Sequence, residues 1–228
     1  MKFLRELVDL IFPKLCCTCD QLLTKNEVLV CFHCRSQLPK ICIQNPSRNE
    51  LVNRFYGKLD TNFAVSYLYF YKSGITQTLL HQFKYNNFPE IGQLIGKWIG
   101  YELVEKGLIE NIDTIIPVPL HSKKKRKRGY NQSEFFAQGI SEVTSIPTDF
   151  KSLCRINYEK SQTLKTREQR WESVKNAIVV NDSKKIADKN ILLVDDIITT
   201  GATLEACGIQ LLSNGAASTS IATIALAK

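Results

Sequence analysis

The most regular feature of the chain is an apolar run that stops at two acids. Ile191-Leu192-Leu193-Val194 has the length and branching of a buried strand. Asp195 and Asp196 follow, then a turn of hydroxyls and glycine, then residues 202–212 at helical spacing, closed by Asn214-Gly215. The same order occurs upstream. Residues 111–116 read as a second buried strand ended by Pro117-Val118-Pro119-Leu120, and residues 133–143 read as a helix. Residues 63–71, rich in aromatic and β-branched side chains, read as a further strand. Residues 75–85 and 89–106 carry apolar positions at helical spacing, with Pro89 suited to a first turn. Residues 43–61 have few periodic apolar positions and read as a connecting segment. Residues 1–9 carry acids inside an apolar stretch, which predicts a short amphipathic helix and not a signal peptide. The repeated strand–turn–helix order predicts an α/β fold, a parallel sheet with helices on both faces.

In an open sheet of this class, ligands bind beyond the carboxyl ends of the strands. The turn Thr199-Thr200-Gly201-Ala202-Thr203 leads into a helix whose first N–H groups and positive dipole end suit a phosphate. Asp195 and Asp196, just before it, suit a sugar diol or a magnesium ion. One loop thus offers to hold a ribose through its hydroxyls and its 5-phosphate through backbone amides.

Charge changes the picture at one place. Of the net charge of +8, the run Lys123-Lys124-Lys125-Arg126-Lys127-Arg128 supplies six units, so the basicity is local. A local basic run suggests an anion site or a nucleic-acid contact. It reads as a loop, between His121-Ser122 and Gly129-Tyr130-Asn131-Gln132. Arg128 is the first choice for an inward cation, because it abuts a glycine that lets the backbone approach an anion. Phe83-Lys84-Tyr85 ends a predicted helix, where a lysine complements the helix dipole.

No apolar run approaches the length of a membrane span, so the expectation is a cytoplasmic protein without membrane insertion. In that compartment cysteine spacing reads as metal binding. Four of the eight cysteines fall as Cys16-x-x-Cys19 and Cys31-x-x-Cys34, eleven residues apart, the ligand set of a structural zinc site. Four thiolates leave no open position for water. Cys17 can replace Cys16 as ligand on spacing alone, and that choice stays open. His33 reads as a bystander, and Cys42, Cys154 and Cys207 as unligated, with Cys207 on the apolar side of the last helix. The expected division is a helix and four-cysteine zinc finger over residues 1–45 and an α/β domain over 60–228.

The stretch 191–203 resembles the phosphoribosyl-pyrophosphate (PRPP) signature of type I phosphoribosyltransferases: an apolar run, paired acids and a Thr-Thr-Gly-x-Thr turn. More narrowly, the chain resembles the ComF family, named for competence and DNA uptake. The resemblance rests on the four-cysteine finger, Phe83-Lys84-Tyr85, Pro117-Val118-Pro119-Leu120, Arg128-Gly129-Tyr130-Asn131-Gln132, the PRPP loop, and the set Arg155, Gln162, Arg167, Arg170 and Asn176.

It implies a type I phosphoribosyltransferase-like fold that binds PRPP with magnesium. Asp195 and Asp196 would then take the diol and help place the metal, and Thr199, Thr200, Gly201, Ala202 and Thr203 the 5-phosphate. Lys125, Arg128, Gly129, Arg155 and Arg167 would face the pyrophosphate. The polar stretch 157–165, before a capping box at Thr166 and Gln169, would form a lid. The implied partners are single-stranded DNA and a competence helicase. A working transferase acting on a nucleobase or other small acceptor is the alternative. Purine-salvage members carry an acid where this chain has Thr199, which cannot serve as a general base near neutral pH. No cysteine follows Met1, so a glutamine-hydrolysing half is expected to be missing.

Overall fold

The computed structural model describes residues 12–156 and 177–228. The predicted helix over residues 1–9, the lid stretch and the residues Gln162, Arg167, Arg170 and Asn176 therefore lie outside the described residues. Four strands form the main sheet: β1 (Ala64–Phe70), β2 (Thr114–Pro117), β5 (Asn190–Ile198) and β6 (Ser218–Ala227). Their order is β1-β6-β5-β2 and every neighbouring pair is parallel. Register is fixed by pairs such as Ile116↔Leu193 and Leu193↔Ile221. A short antiparallel ribbon, β3 (Leu153–Arg155) with β4 (Ile178–Val180), stands apart from it.

Both faces of the sheet are covered, which is why its strands are apolar on both sides. Along β5, Leu192 and Val194 pack with α3 (Ile75–Tyr85), α4 (Glu90–Glu105) and α6 (Gln132–Thr144). Ile191 and Leu193 point the other way, into a second core with α2 (Glu50–Phe55) and α7 (Ala202–Ser213). Alternation along a strand sends successive side chains to opposite faces. Helices α4 and α6 pack through glycines: a Cβ on Gly96 would strike the Phe136 carbonyl, and one on Gly139 the Gln93 carbonyl. Both would meet backbone, which cannot swing aside.

Both sheet edges are capped. Lys40 bridges Leu68 antiparallel beside β1, with Ile41 N–H on the Tyr67 carbonyl at 2.9 Å and Tyr69 N–H on the Pro39 carbonyl at 2.8 Å. Thr148 bridges Ile115 beside β2. Unpaired edge groups are a liability, and short flanking segments satisfy them.

Three expectations change. The strand predicted over residues 191–194 continues through both acids to Ile198, because β6 keeps pairing as far as Ile198↔Leu226. The stretch 43–61 is more than a connector. Asn49 accepts N–H bonds from Leu51 and Val52 and so starts α2, which buries Leu51 and Phe55. The basic run is not a loop. It forms α5 (Ser122–Arg128), capped by His121 Nδ1 accepting from Lys123 N–H at 3.2 Å and stopped by Gly129 at φ +83°. Lysine and arginine are good helix formers, and an exposed single helix face tolerates their charge. Among the described residues no helix is long and apolar enough to cross a membrane.

Candidate functional site

The site is assembled at the carboxyl end of β5. Asp195 Oδ1 accepts the Ser133 hydroxyl at 2.9 Å and the Asp196 N–H at 2.9 Å. Asp196 Oδ1 accepts the Ile197 N–H at 2.6 Å, and its Oδ2 lies 2.7 Å from Lys84 Nζ. Burial pushes the Asp195 carboxyl up to about 7, and the neighbouring Asp196 charge adds to the push. Among the described residues Asp195 thus takes only neutral donors, whereas Asp196 is paired with the Lys84 ammonium.

The turn after the acids is shaped for close approach. Gly201 sits at φ +83° and caps α7 without any side-chain hydrogen bond. The Thr200 hydroxyl accepts the Ala202 N–H at 3.4 Å. Asp195, Thr199, Thr200, Gly201, Ala202 and Thr203 line a hollow of about 40 Å³. α2 supports this turn from behind. Phe55 would lie 3.1 Å from a Cβ on Gly201, and Arg54 donates to the carbonyls of Thr199 and Ala227.

Arg128-Gly129-Tyr130-Asn131-Gln132 acts as a knot. Asn131 caps α6 through Ser133 N–H at 3.3 Å and donates to the Val118 carbonyl at 3.1 Å, which ties β2 to the helix bearing Ser133. The Tyr130 hydroxyl donates to the Phe83 carbonyl, which fixes the end of α3. Arg128 donates to Gln132 Oε1 at 2.8 Å and lies over the Tyr85 ring at 5.3 Å. Gly129 supplies the left-handed turn between α5 and α6. Lys125 faces outward, paired with Glu134 at 2.9 Å with its side chain 51% exposed. Arg155 ends β3 with a buried Nε that has no hydrogen-bond partner among the described residues, and its charge helps depress His121 after burial has done so. Arg167 lies outside the described residues.

The sulfurs of Cys16, Cys19, Cys31 and Cys34 all lie within 4.8 Å of one another, a cluster that could hold a metal ion. The cluster includes Cys16 and not Cys17. Cys17 stands outside the cluster, against Thr18, and burial pushes its thiol up to about 11. The donor set fits a soft tetrahedral cation: four thiols this close repel one another once ionised unless a cation sits among them. Backbone also prepares the set, since Cys31 N–H points at Cys16 Sγ and Cys34 N–H at Cys31 Sγ, both at 3.4 Å. The cluster continues into the core of the α/β unit, and Arg35 lies over the Trp98 ring of α4 at 4.7 Å.

Residues 86–228 match the model of the phosphoribosyl transferase domain, more than half of the chain. The chain belongs to that family. Three curated relatives bear out the narrower ComF resemblance. Competence protein ComFC of Bacillus subtilis is 28% identical over 208 residues, covering 86% of this chain and 82% of the relative. Competence protein F of Haemophilus influenzae is 36% identical over 93 residues, 40% of this chain and 41% of the relative. DNA utilization protein YhgH of Escherichia coli O157:H7 is 27% identical over 146 residues, 63% of each chain, so the match spans less than two thirds of that relative's length.

Within this phosphoribosyl transferase domain and the segment before it, three side chains serve the site in ways the sequence does not announce. Lys84 reads as a helix-end cation, Ser133 as part of a helix, and Arg54 as part of a connector. Of these, Lys84 carries a signal, its place in the Phe83-Lys84-Tyr85 motif. The other two reach the site from elements 62 and 145 residues away in sequence from their partners.

The raised Asp195 carboxyl makes a stability prediction. The folded state keeps a proton on this group up to about pH 7, whereas the unfolded chain releases it near 3.8. Between those values the folded state binds more protons, so this group's contribution falls as pH rises, by up to about 1.4 kcal/mol per pH unit. Urea unfolding across that window should show Asp195→Asn gaining on wild type as pH rises. Parallel pH profiles would refute the assignment.

Proposed function

We propose that the crest of β5 binds ribose 5-phosphate groups, with PRPP and magnesium as the natural pair. The observation that carries this reading is two acids near the end of β5 followed, after a short hydroxyl turn, by a left-handed glycine that opens α7. Asp195 and Asp196 take the ribose hydroxyls and hold magnesium. The turn from Thr199 to Thr203 takes the 5-phosphate. When bound, magnesium supplies charge neutralisation at the pyrophosphate. Arg128, at the end of α5, and Gly129 after it face that group, with Arg155 and Arg167 as the further cations, while Lys125 is turned outward to Glu134. The amino-terminal module, residues 1–45, carries the finger, in which Cys16, Cys19, Cys31 and Cys34 hold a structural zinc. Residues 60–228 form the ligand-binding domain.

The competence and DNA-utilization names of the relatives support a cytoplasmic role in handling single-stranded DNA during uptake, beside a helicase. The surface supports it too. No residue of α5 is buried, and Tyr85, under the Arg128 guanidinium, is 58% exposed. Cations beside an exposed aromatic suit a single strand. The second reading, transfer to a nucleobase or other small acceptor, is favoured by the domain family, though Thr199 withholds the acid that purine salvage uses.

Calorimetry with PRPP and magnesium tests the ligand. Saturable binding is expected, and none would remove the proposal. Pyrophosphate release with one acceptor would favour the transferase reading. Neutralising residues 123–128 should weaken single-stranded DNA binding and lower its salt slope by up to about 4 if every cation meets a phosphate. An unchanged slope would take the DNA surface elsewhere.

A further inference from the structure

The Lys84–Asp196 pair has a consequence for how a metal reaches the site. Both side chains are largely enclosed, 18% and 16% exposed, at 2.7 Å. Lys84 is held there from several directions. Its neighbour Phe83 is fully buried and its carbonyl accepts the Tyr130 hydroxyl. Its other neighbour, Tyr85, lies under the Arg128 guanidinium. The ammonium is thus delivered to Asp196 by a fixed helix end and is not a loose surface chain that happens to meet an acid. Asp195 beside it accepts from neutral donors, the Ser133 hydroxyl and the Asp196 N–H.

Resting on the reading of this crest as a magnesium and ribose phosphate site, we infer that Lys84 holds the place of the divalent cation on Asp196 while no ligand is bound. A bare metal ion must displace this ammonium and brings no anion to receive it. A metal arriving on a diphosphate brings that anion with it, so the displaced ammonium exchanges one negative partner for another. The site therefore discriminates against free metal and takes it as a complex with the polyanion. Lys84 acts as a specificity device through charge competition.

Manganese alone, titrated into zinc-loaded protein, tests this. Manganese prefers oxygen donors and leaves a thiolate cluster to zinc. Wild type is expected to bind it weakly. Lys84→Met should bind it at least about tenfold more tightly, because the acid is left unpaired. Adding Asp196→Asn to that variant should cancel the gain. Lys84→Gln provides a second neutral variant, with circular dichroism checking that each is folded. Folded Lys84 variants that bind manganese no better than wild type would overturn the inference. Failure of the parent reading looks different: wild type would then ignore PRPP with magnesium, whatever manganese does in the variants.

Discussion

Replacing Asp195 and Asp196 together by asparagine is expected to abolish detectable PRPP binding in the presence of magnesium, a loss of at least about a hundredfold, or ~2.7 kcal/mol. The geometry gives the reason. The two acids are consecutive near the end of β5, and Asp195 lines the hollow formed with the following turn. Asparagine keeps the shape and still accepts the Ser133 hydroxyl and the Asp196 N–H that Asp195 Oδ1 now takes. It removes the charge that a divalent cation needs. The fold should survive. At Asp195 the change relieves a buried charge, whereas at Asp196 it removes the partner of Lys84. These effects oppose each other, so the melting temperature should move little. Calorimetry and a thermal melt on the same sample separate the two outcomes. Unchanged affinity in a folded variant would move the ligand away from this crest.

The second large effect concerns the thiol cluster. Stripping the metal with a strong chelator, or Cys34→Ser, is expected to cost more than about 4 kcal/mol, the range reached when a metal site is lost. For a domain of this size that is roughly 10 °C or more in melting temperature. The cost should spread beyond the finger. Cys16, Cys31 and Cys34 belong to the same apolar cluster as Tyr67 of β1 and Ile95 and Ile99 of α4, and Arg35 reaches across to Trp98. The segment after the finger also closes the β1 edge of the sheet. Cys17→Ser provides the contrast: its sulfur lies outside the cluster, so the variant should keep its metal. Elemental analysis should find about one zinc per chain. A metal-free protein whose melt ignores chelator would remove the finger from the account.

How far the sequence reaches depends on whether a property is local. The four apolar residues before Asp195, the paired acids, the Thr-Thr-Gly-x-Thr turn and the two Cys-x-x-Cys pairs each sit within a few residues, and spacing along the chain fixes their relative geometry. Even helix ends are legible in this way: residues 75–85 read as α3 with the bounds it has. Local pattern fails where charge masks propensity, at α5, and where a single asparagine cap and a few buried residues build α2 from a stretch without visible periodicity.

The chain by itself therefore determined the kind of fold, the acids, the hydroxyl and glycine turn and the four thiols, because each is written in short-range spacing that one strand or one turn converts directly into geometry. Tertiary structure alone decided which side chains complete the site. Lys84 meets Asp196, Ser133 meets Asp195 and Arg54 braces Thr199 only because a doubly covered parallel sheet brings the ends of α3, α6 and α2 to the carboxyl end of β5. It likewise placed Cys16 and not Cys17 in the thiol cluster, since the direction of a thiol depends on the fold of its knuckle and not on its position in the sequence. Spacing records neighbours along the chain, whereas a site is made by neighbours in space.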